Sequence, residues 1–480
     1  MSVVFGLLLS SLGSVFSHRA EALWPFDAPP SEPPLSDRAA QLLSEAIQMP
    51  TVNPPGGEAR LARRLAAELV RAGIENRVIA TPSPNGGPER AAVWGRLRGD
   101  GNRPALALVS HLDTVPADPT EWSVDPFAGR IWNGFVWGRG ALDAKGVAIT
   151  HLLTVIELAK SDQKLERDIV FLATPDEETG GLLGAGWITR ELPELLDGVG
   201  YLLTEGGGIQ ATSSVEAHPH EIWGVSLTEK APCWLELRAR GRAGHSSAPT
   251  PDAAVPRLIA ALDRVRRVES EIRVVDEVEE MFRRLAPLSP EWDRAGMLDL
   301  ARSLENDDAF RRRFLDNPGQ NALVRNTISI TVLEGASGTN VAPAVARAQL
   351  DARLLPGESC QEFAESLANL IADPSIEIEE ILSFPGRASS TQTPLFEAIE
   401  EVAASRPTPA IVVPRMIGGF TDAHWFRELG IVAYGFVPRV LAREDAGRVH
   451  GIDERIGVET LANSAELTIE IIRRFDALDR

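Results

Sequence analysis

The feature that most constrains this chain is a rhythm of short apolar strands and amphipathic helices in which strand after strand runs into a polar residue. PALALVS leads to His111 and Asp113 of HLDTVP, and GRGALDAKG sets Asp143 before the helical GVAITHLLTVIELAK. DIVFLAT leads to Glu177 and Glu178 of PDEETGG, and VGYLLT to Glu205 of TEGGG. His111, Asp143, Glu178 and Glu205 are separated by steps of 32, 35 and 27 residues, each the length of a strand–helix unit. Such alternation implies an α/β layer with a mostly parallel sheet flanked by helices. Ligands of such sheets sit outside the carboxyl ends of the strands. The four side chains are therefore expected along one edge of one sheet, joined by His450 of VHGIDERI in the loop before the last helix.

Each residue alone has an ordinary explanation. An acidic triplet such as Asp176-Glu177-Glu178 is usually a solvated turn, and Asp143 by itself reads as a helix N-cap. Together, three carboxylates and a histidine in one cleft raise one another's pKa unless a cation offsets the repulsion. Five ligand candidates, His111, Asp143, Glu178, Glu205 and His450, are one too many for a four-coordinate zinc. The count points to two metal ions, with Asp143 bridging, His111 and Glu205 on one ion, and Glu178 and His450 on the other. Paired ions of this kind lie about 3.5–4 Å apart and activate one water. Asp113 shares a face with His111 in an extended segment and can accept a hydrogen bond from its ring. Glu177, unbound beside the metal water, is the expected general base. A structural calcium site does not fit His111 and His450, because hard cations prefer oxygen.

Composition narrows the class. A chain of 480 residues with 44% hydrophobic and 24% charged residues suits a globular protein of two domains. Its net charge of −20 argues against nucleic acid and anionic lipid as partners. Two cysteines, Cys233 and Cys360, exclude a disulfide framework and a Cys-rich zinc finger, which leaves His and carboxylate as metal ligands. Residues 3–16 form an apolar run long enough for a signal-peptide core and too short to span a bilayer, with Ala20-Glu21-Ala22 as a cleavage site. No Lys or Arg precedes that run. Export is the expectation, and a cytoplasmic location the alternative if the run is not a signal.

After a Pro-rich spacer within residues 1–35, a catalytic domain is expected over 36–229 and 384–480. Between them, 230–383 follows the order β-α-β-β-α-β of a ferredoxin-like domain, interrupted near 268–320 by a charged, mainly helical insert. His151 reads as a core histidine, His218 and His220 as loop residues, His18 as part of the signal, and His424 as structural rather than a substrate contact.

SHLDTVP, GRGALDAKG, PDEETGG, TEGGG, GHSSAP and HGIDERI, in this order, resemble the aminoacylase and carboxypeptidase S family of co-catalytic zinc metallopeptidases. The similarity runs from Ser36 nearly to the end. TEGGG, LTEK and the long insert are similar to the branch of carboxypeptidase S and the N-fatty-acyl-amino acid synthase/hydrolases. The resemblance implies the same five metal ligands, two zinc ions per subunit (Co2+ or Mn2+ able to substitute), Asp113 orienting His111, and Glu177 as base and proton shuttle. It implies that His245 of GHSSAP stabilises the oxyanion, reaching a partner subunit's site in dimeric members. Asn340 and Arg353 match residues that grip the substrate, Arg353 being suited to an α-carboxylate. A cis peptide is implied at Asp143–Ala144. The chain departs from the family at Thr204, where an acidic residue is usual, and at His424, where relatives often carry a basic one.

The resulting expectation is a di-zinc amidohydrolase that cleaves an amide bond next to a free carboxylate. Its substrate would be an N-acyl amino acid or a short peptide, and the insert would shape the acyl pocket. A non-catalytic amino-acid or peptide binding protein on the same scaffold is the alternative. An edge strand of the ferredoxin-like domain suits two-fold pairing into a homodimer.

Overall fold

In the strand Arg103–His111 alternate residues serve two different cores. Leu106 and Leu108 pack on one side with the helices Leu35–Ile47, Lys145–Lys160 and Val458–Leu478. Ala107 and Val109 pack on the other with Ile188 and Phe426 of the helices Ala185–Glu191 and Ala423–Glu428. The neighbouring strand Arg167–Thr174 divides in the same way, Phe171 to one core and Leu172 to the other. A sheet covered on both faces needs runs that are apolar throughout, which is why these segments show no period of two.

The computed structural model describes residues 32–101, 103–212 and 220–478; the expected signal segment, His18 and His218 lie outside the described residues. Residues Leu35–Arg480 form one compact unit. Among the described residues its main sheet has ten strands and is mixed. Arg167–Thr174, Arg103–His111, Val199–Thr204 and Val432–Gly435 run parallel through its centre. Glu75–Thr81 and Arg90–Leu97 add antiparallel strands on one side. On the other side His220–Glu229 pairs antiparallel with Gly208–Thr212 and parallel with Ala410–Ile417. His220, expected in a loop, opens a strand. His151 is a buried core residue of its helix.

A second sheet has the antiparallel order Thr327–Glu334, Val345–Leu354, Ala231–Arg240, Ile376–Ser383, with the helices Ala254–Val265 and Cys360–Ile371 on one face. This is the expected ferredoxin-like arrangement, inserted into the larger α/β fold. Along Ala231–Arg240, Cys233, Leu235 and Leu237 point into its core while Trp234 turns to the opposite face. The two cysteines, read as too few for a framework, form one disulfide between Cys233 and Cys360. It ties a central strand to the start of the second helix. The helical insert builds a core of its own around Phe282, Phe310 and Phe314, and this core packs on Met416 of Ala410–Ile417. No helix among the described residues is long and apolar enough to cross a membrane.

Candidate active site

Register brings the polar strand ends together. His111 lies opposite Thr174 in the parallel ladder, and Leu108 opposite Leu203, so PDEETGG and Glu205 emerge on the same sheet edge as His111. Asp143 and His450 arrive from loops. His111 Nε2 is 3.0 Å from Asp143 Oδ1 and 3.3 Å from Glu205 Oε1. His450 Nε2 is 3.1 Å from Asp143 Oδ2 and 3.2 Å from Glu178 Oε2. Asp143 thus stands between two triads, His111–Asp143–Glu205 and Asp143–Glu178–His450, the ligand atoms of each lying within 4.8 Å of one another. The peptide bond Asp143–Ala144 is cis.

The electrostatics of this cluster call for positive charge. Burial, reinforced by Glu205 and Glu178, pushes the Glu177 carboxyl well above its ordinary range. Burial, with Asp143 close by, pushes Glu205 up to about 7. Burial also opposes charge on Asp143, but hydrogen bonds from His111 and His450 outweigh it and hold that pKa well below normal. Glu178 Oε1 is buried without a hydrogen-bond partner among the described residues. Nitrogen and carboxylate donors grouped in this way, with one orphaned oxygen, suit a divalent ion such as zinc.

Asp113 is placed differently from the expectation. The His111 Nδ1 faces the main-chain oxygen of Asp113 at 3.0 Å, whereas the carboxylate Oδ1 is 3.5 Å away. The carboxylate accepts instead from the backbone N–H groups of Glu177 (3.2 Å) and Glu178 (3.1 Å) and from Asn53 Nδ2 (2.8 Å). Asp113 therefore grips both glutamates through their backbone while its carbonyl fixes the ring. Asp176, read as a turn residue, is buried with φ 82° and accepts from Arg90 Nη1 at 2.8 Å and the Leu183 N–H at 2.8 Å. Arg90 in turn binds Glu58 at 2.9 Å. Gly181, at φ +70°, has no room for a Cβ against the Asp422 carboxylate. A residue that the motifs did not single out, Glu454, accepts from the N–H groups of Gly140 (3.1 Å), Leu142 (2.6 Å) and Asp143 (3.1 Å) and from Arg139 (2.7 Å). Its position in HGIDERI, four residues after His450, was the available signal.

The two triads open into a cavity of about 520 Å³ whose wall includes Asp143, Glu177, Glu178, Glu205 and His450 together with Trp234, Arg353, Arg415 and Arg439. Arg353 lies near the rings of Trp234 (5.6 Å) and Phe420 (5.1 Å). Its Nε and Nη2 already donate to Asp351 at 2.7 and 3.2 Å, and its Nη1 is buried. His245 and Asn340 do not line this cavity. They sit side by side on an exposed two-strand pairing, Gly244–His245 with Val341–Ala342, where Ser246 N–H donates to the Asn340 carbonyl at 3.1 Å. His424 is buried, stacked on Phe384 at 3.4 Å, with its Nδ1 2.8 Å from the Thr421 carbonyl; it lies outside the cavity wall. The insert, expected to shape the acyl pocket, contributes no residue to this wall.

Over residues 107–474 the chain matches the family described as Peptidase family M20/M25/M40. It is 30% identical over 389 residues to the N-fatty-acyl-amino acid synthase/hydrolase of Xenopus tropicalis, covering 78% of this chain and 73% of that one. Against aminoacylase-1B of Rattus norvegicus it is 26% identical over 362 residues, covering 73% and 77%. Among solved structures it is similar to an M20 family metallo-carboxypeptidase from Sulfolobus solfataricus, with a TM-score of 0.68, 19% identity, and coverage of 92% of this chain and 100% of that one. The chain accordingly belongs to the M20/M25/M40 peptidase family and is an enzyme of its metallopeptidase and amidohydrolase kind.

Proposed function

We propose that this enzyme is a di-zinc amidohydrolase acting on N-acyl amino acids, with His111 and Glu205 holding one ion, Glu178 and His450 the other, and Asp143 shared. The observation that carries the reading is the position of Asp143, each of whose oxygens meets the histidine of a different triad. Bound zinc would supply Lewis-acid polarisation of the scissile carbonyl and an acidified water. Glu177 lies in the same cavity, Oε2 3.8 Å from His111 Nε2, and belongs to neither triad found among the described residues. It is the proposed base that takes the water's proton and returns it to the leaving amine. Arg353 contributes positive charge to the cavity, and aromatic Trp234 and Phe420 line it beside the arginine. That combination favours a substrate with a carboxylate and an apolar acyl group. The similarity to the N-fatty-acyl-amino acid synthase/hydrolase and to aminoacylase-1B supports N-acyl amino acids as substrates.

His245 and Asn340 are proposed to serve the site of a second subunit in a homodimer. Support comes from their exposure outside their own chain's cavity and from the edge strand Thr327–Glu334, which leaves Ile330 and Leu333 at the surface. The Cys233–Cys360 disulfide supports export to an oxidising compartment.

The test is hydrolysis by zinc-loaded protein of a panel of N-acyl amino acids and dipeptides. Turnover of the former is expected. A Glu177→Ala variant should retain its zinc and lose on the order of 10²–10⁴ in kcat. Full activity in that variant rules out the mechanism, and zinc-loaded wild type without turnover on either class favours a binding protein.

A further inference from the structure

Three arginines line the cavity, and two of them already donate to acceptors of the protein. Arg439 donates to the Leu142 carbonyl at 2.8 Å and feels the carboxylates of Asp143, Glu205 and Glu454. Arg353 is bound to Asp351 through Nε and Nη2, which leaves its Nη1 buried without a partner among the described residues. Arg415 is different. Among the described residues it has neither a hydrogen-bond acceptor nor an ion-pair partner, yet it sits half-buried in the wall of the site. Only its burial acts on its charge, lowering its proton affinity, with no carboxylate opposing.

The fold makes room for this side chain. Arg415 lies on Ala410–Ile417, the strand beside His220–Glu229, and crosses over Gly224 toward the glycines of TEGGG. A Cβ on Gly224 would come within 2.5 Å of Arg415 Cδ and 3.0 Å of Nη1. Gly224 pairs with Gly208 on the next strand, so a bare strip of backbone carries the guanidinium into the cavity. The helical insert braces the strand from behind, through Met416 and through Arg284 Nη1, which donates to the Val412 carbonyl at 2.9 Å. A partly desolvated cation without a protein partner gains from a ligand that neutralises it. A guanidinium fork matches a carboxylate in two parallel hydrogen bonds.

We propose that Arg415 is a group in this cavity that binds a substrate carboxylate, and that it thereby contributes to specificity for anionic amino-acid substrates. The inference rests on the amidohydrolase reading and adds a recognition element on the large sheet, distinct from Arg353 on the small one. The carboxylate has two sources, the α-carboxylate of any N-acyl amino acid or the side-chain carboxylate of an acidic one.

Steady-state kinetics of zinc-loaded wild type, R415Q and R415K on N-acyl-leucine and N-acyl-glutamate distinguish them. In R415Q, KM is expected to rise about ten- to a hundredfold, with kcat changing little, from the loss of a charge-assisted pair. A rise for both substrates identifies the α-carboxylate, and a rise for the glutamate derivative alone identifies the side chain. R415K should recover part of the affinity. G224A, which keeps the arginine but displaces it, should reproduce the KM rise. The thermal midpoint of R415Q should not fall, because no protein partner is lost; a fall with unchanged KM would mark a structural role. An unchanged KM for both substrates overturns the proposal. If wild type hydrolyses nothing, the functional reading fails and calorimetric titration of leucine and glutamate decides the inference separately. Weaker binding to R415Q than to wild type then supports it, and equal binding, or none to wild type, overturns it.

Discussion

At the scale of single residues, adjacency in PDEETGG has a use that depends on a third carboxylate. Asp113 accepts from the N–H groups of both Glu177 and Glu178, so the two side chains leave one fixed stretch of backbone toward the same cleft. Asp113→Asn keeps the shape but replaces one acceptor oxygen with an N–H that faces other donors. Under the proposed assignment of Glu178 and His111 as ligands, the variant should bind zinc about 10–100-fold more weakly, in the range typical of groups that orient metal ligands. Competition with a chromogenic chelator measures this directly. Wild-type affinity in the variant would show that the Asp113 bonds do not organise the ligands. Glu454 does a parallel job for Asp143, again through backbone N–H groups. Roles of this kind leave no motif, because any segment offers N–H groups and only folding decides which carboxylate receives them.

At the scale of elements, legibility followed locality. His111, Glu178 and Glu205 could be placed on one sheet edge because they end or follow parallel strands of one sheet. Asp143 instead reaches them from a loop, its 32-residue step from His111 holding the short strands Arg130–Trp132 and Phe135–Trp137 and no helix. Both sheets and the closing helix were readable from apolar runs and spacing. The strands Glu75–Thr81, Arg90–Leu97, Gly208–Thr212 and His220–Glu229 were not anticipated, and their pairing makes the main sheet mixed. Arg415 was invisible for a related reason: one arginine in an apolar strand signals nothing until the glycine beneath it is known. The Cys233–Cys360 bond was equally hidden, since its partners are 127 residues apart and meet only when Ala231–Arg240 packs against Cys360–Ile371. Cross-linking across so long a loop restrains the unfolded chain. Replacing both cysteines by alanine should therefore cost about 2–5 kcal/mol. The measurement is denaturant unfolding with and without reductant. Reductant should shift the wild-type transition and leave the double variant unmoved; an equal response in both would mean that the bond does not support the fold.

At the scale of the whole molecule, the question is whether one chain carries a complete site. The metal-ligand candidates, Glu177, Arg353 and Arg415 share a cavity, whereas His245 and Asn340 lie on an exposed strand pair outside its wall. If His245 has the proposed role at the reacting carbonyl, two arrangements bring it there. The small sheet can swing toward its own cavity, or a second copy can present the residue across a two-fold axis, with the Thr327–Glu334 edge available for pairing. Mixing two inactive variants separates them. Glu177→Ala retains His245, and His245→Ala retains Glu177. In a homodimer with shared sites, each mixed dimer assembles one site with both residues intact and one with neither. Random reassortment of equal amounts, half of it mixed dimers, should then recover about a quarter of wild-type activity. If His245 serves its own chain, each site in the mixture lacks one of the two residues and activity stays at the level of the separate variants. Sedimentation of the mixture supplies the control, because recovery must track the dimeric fraction and disappear on dilution into monomers.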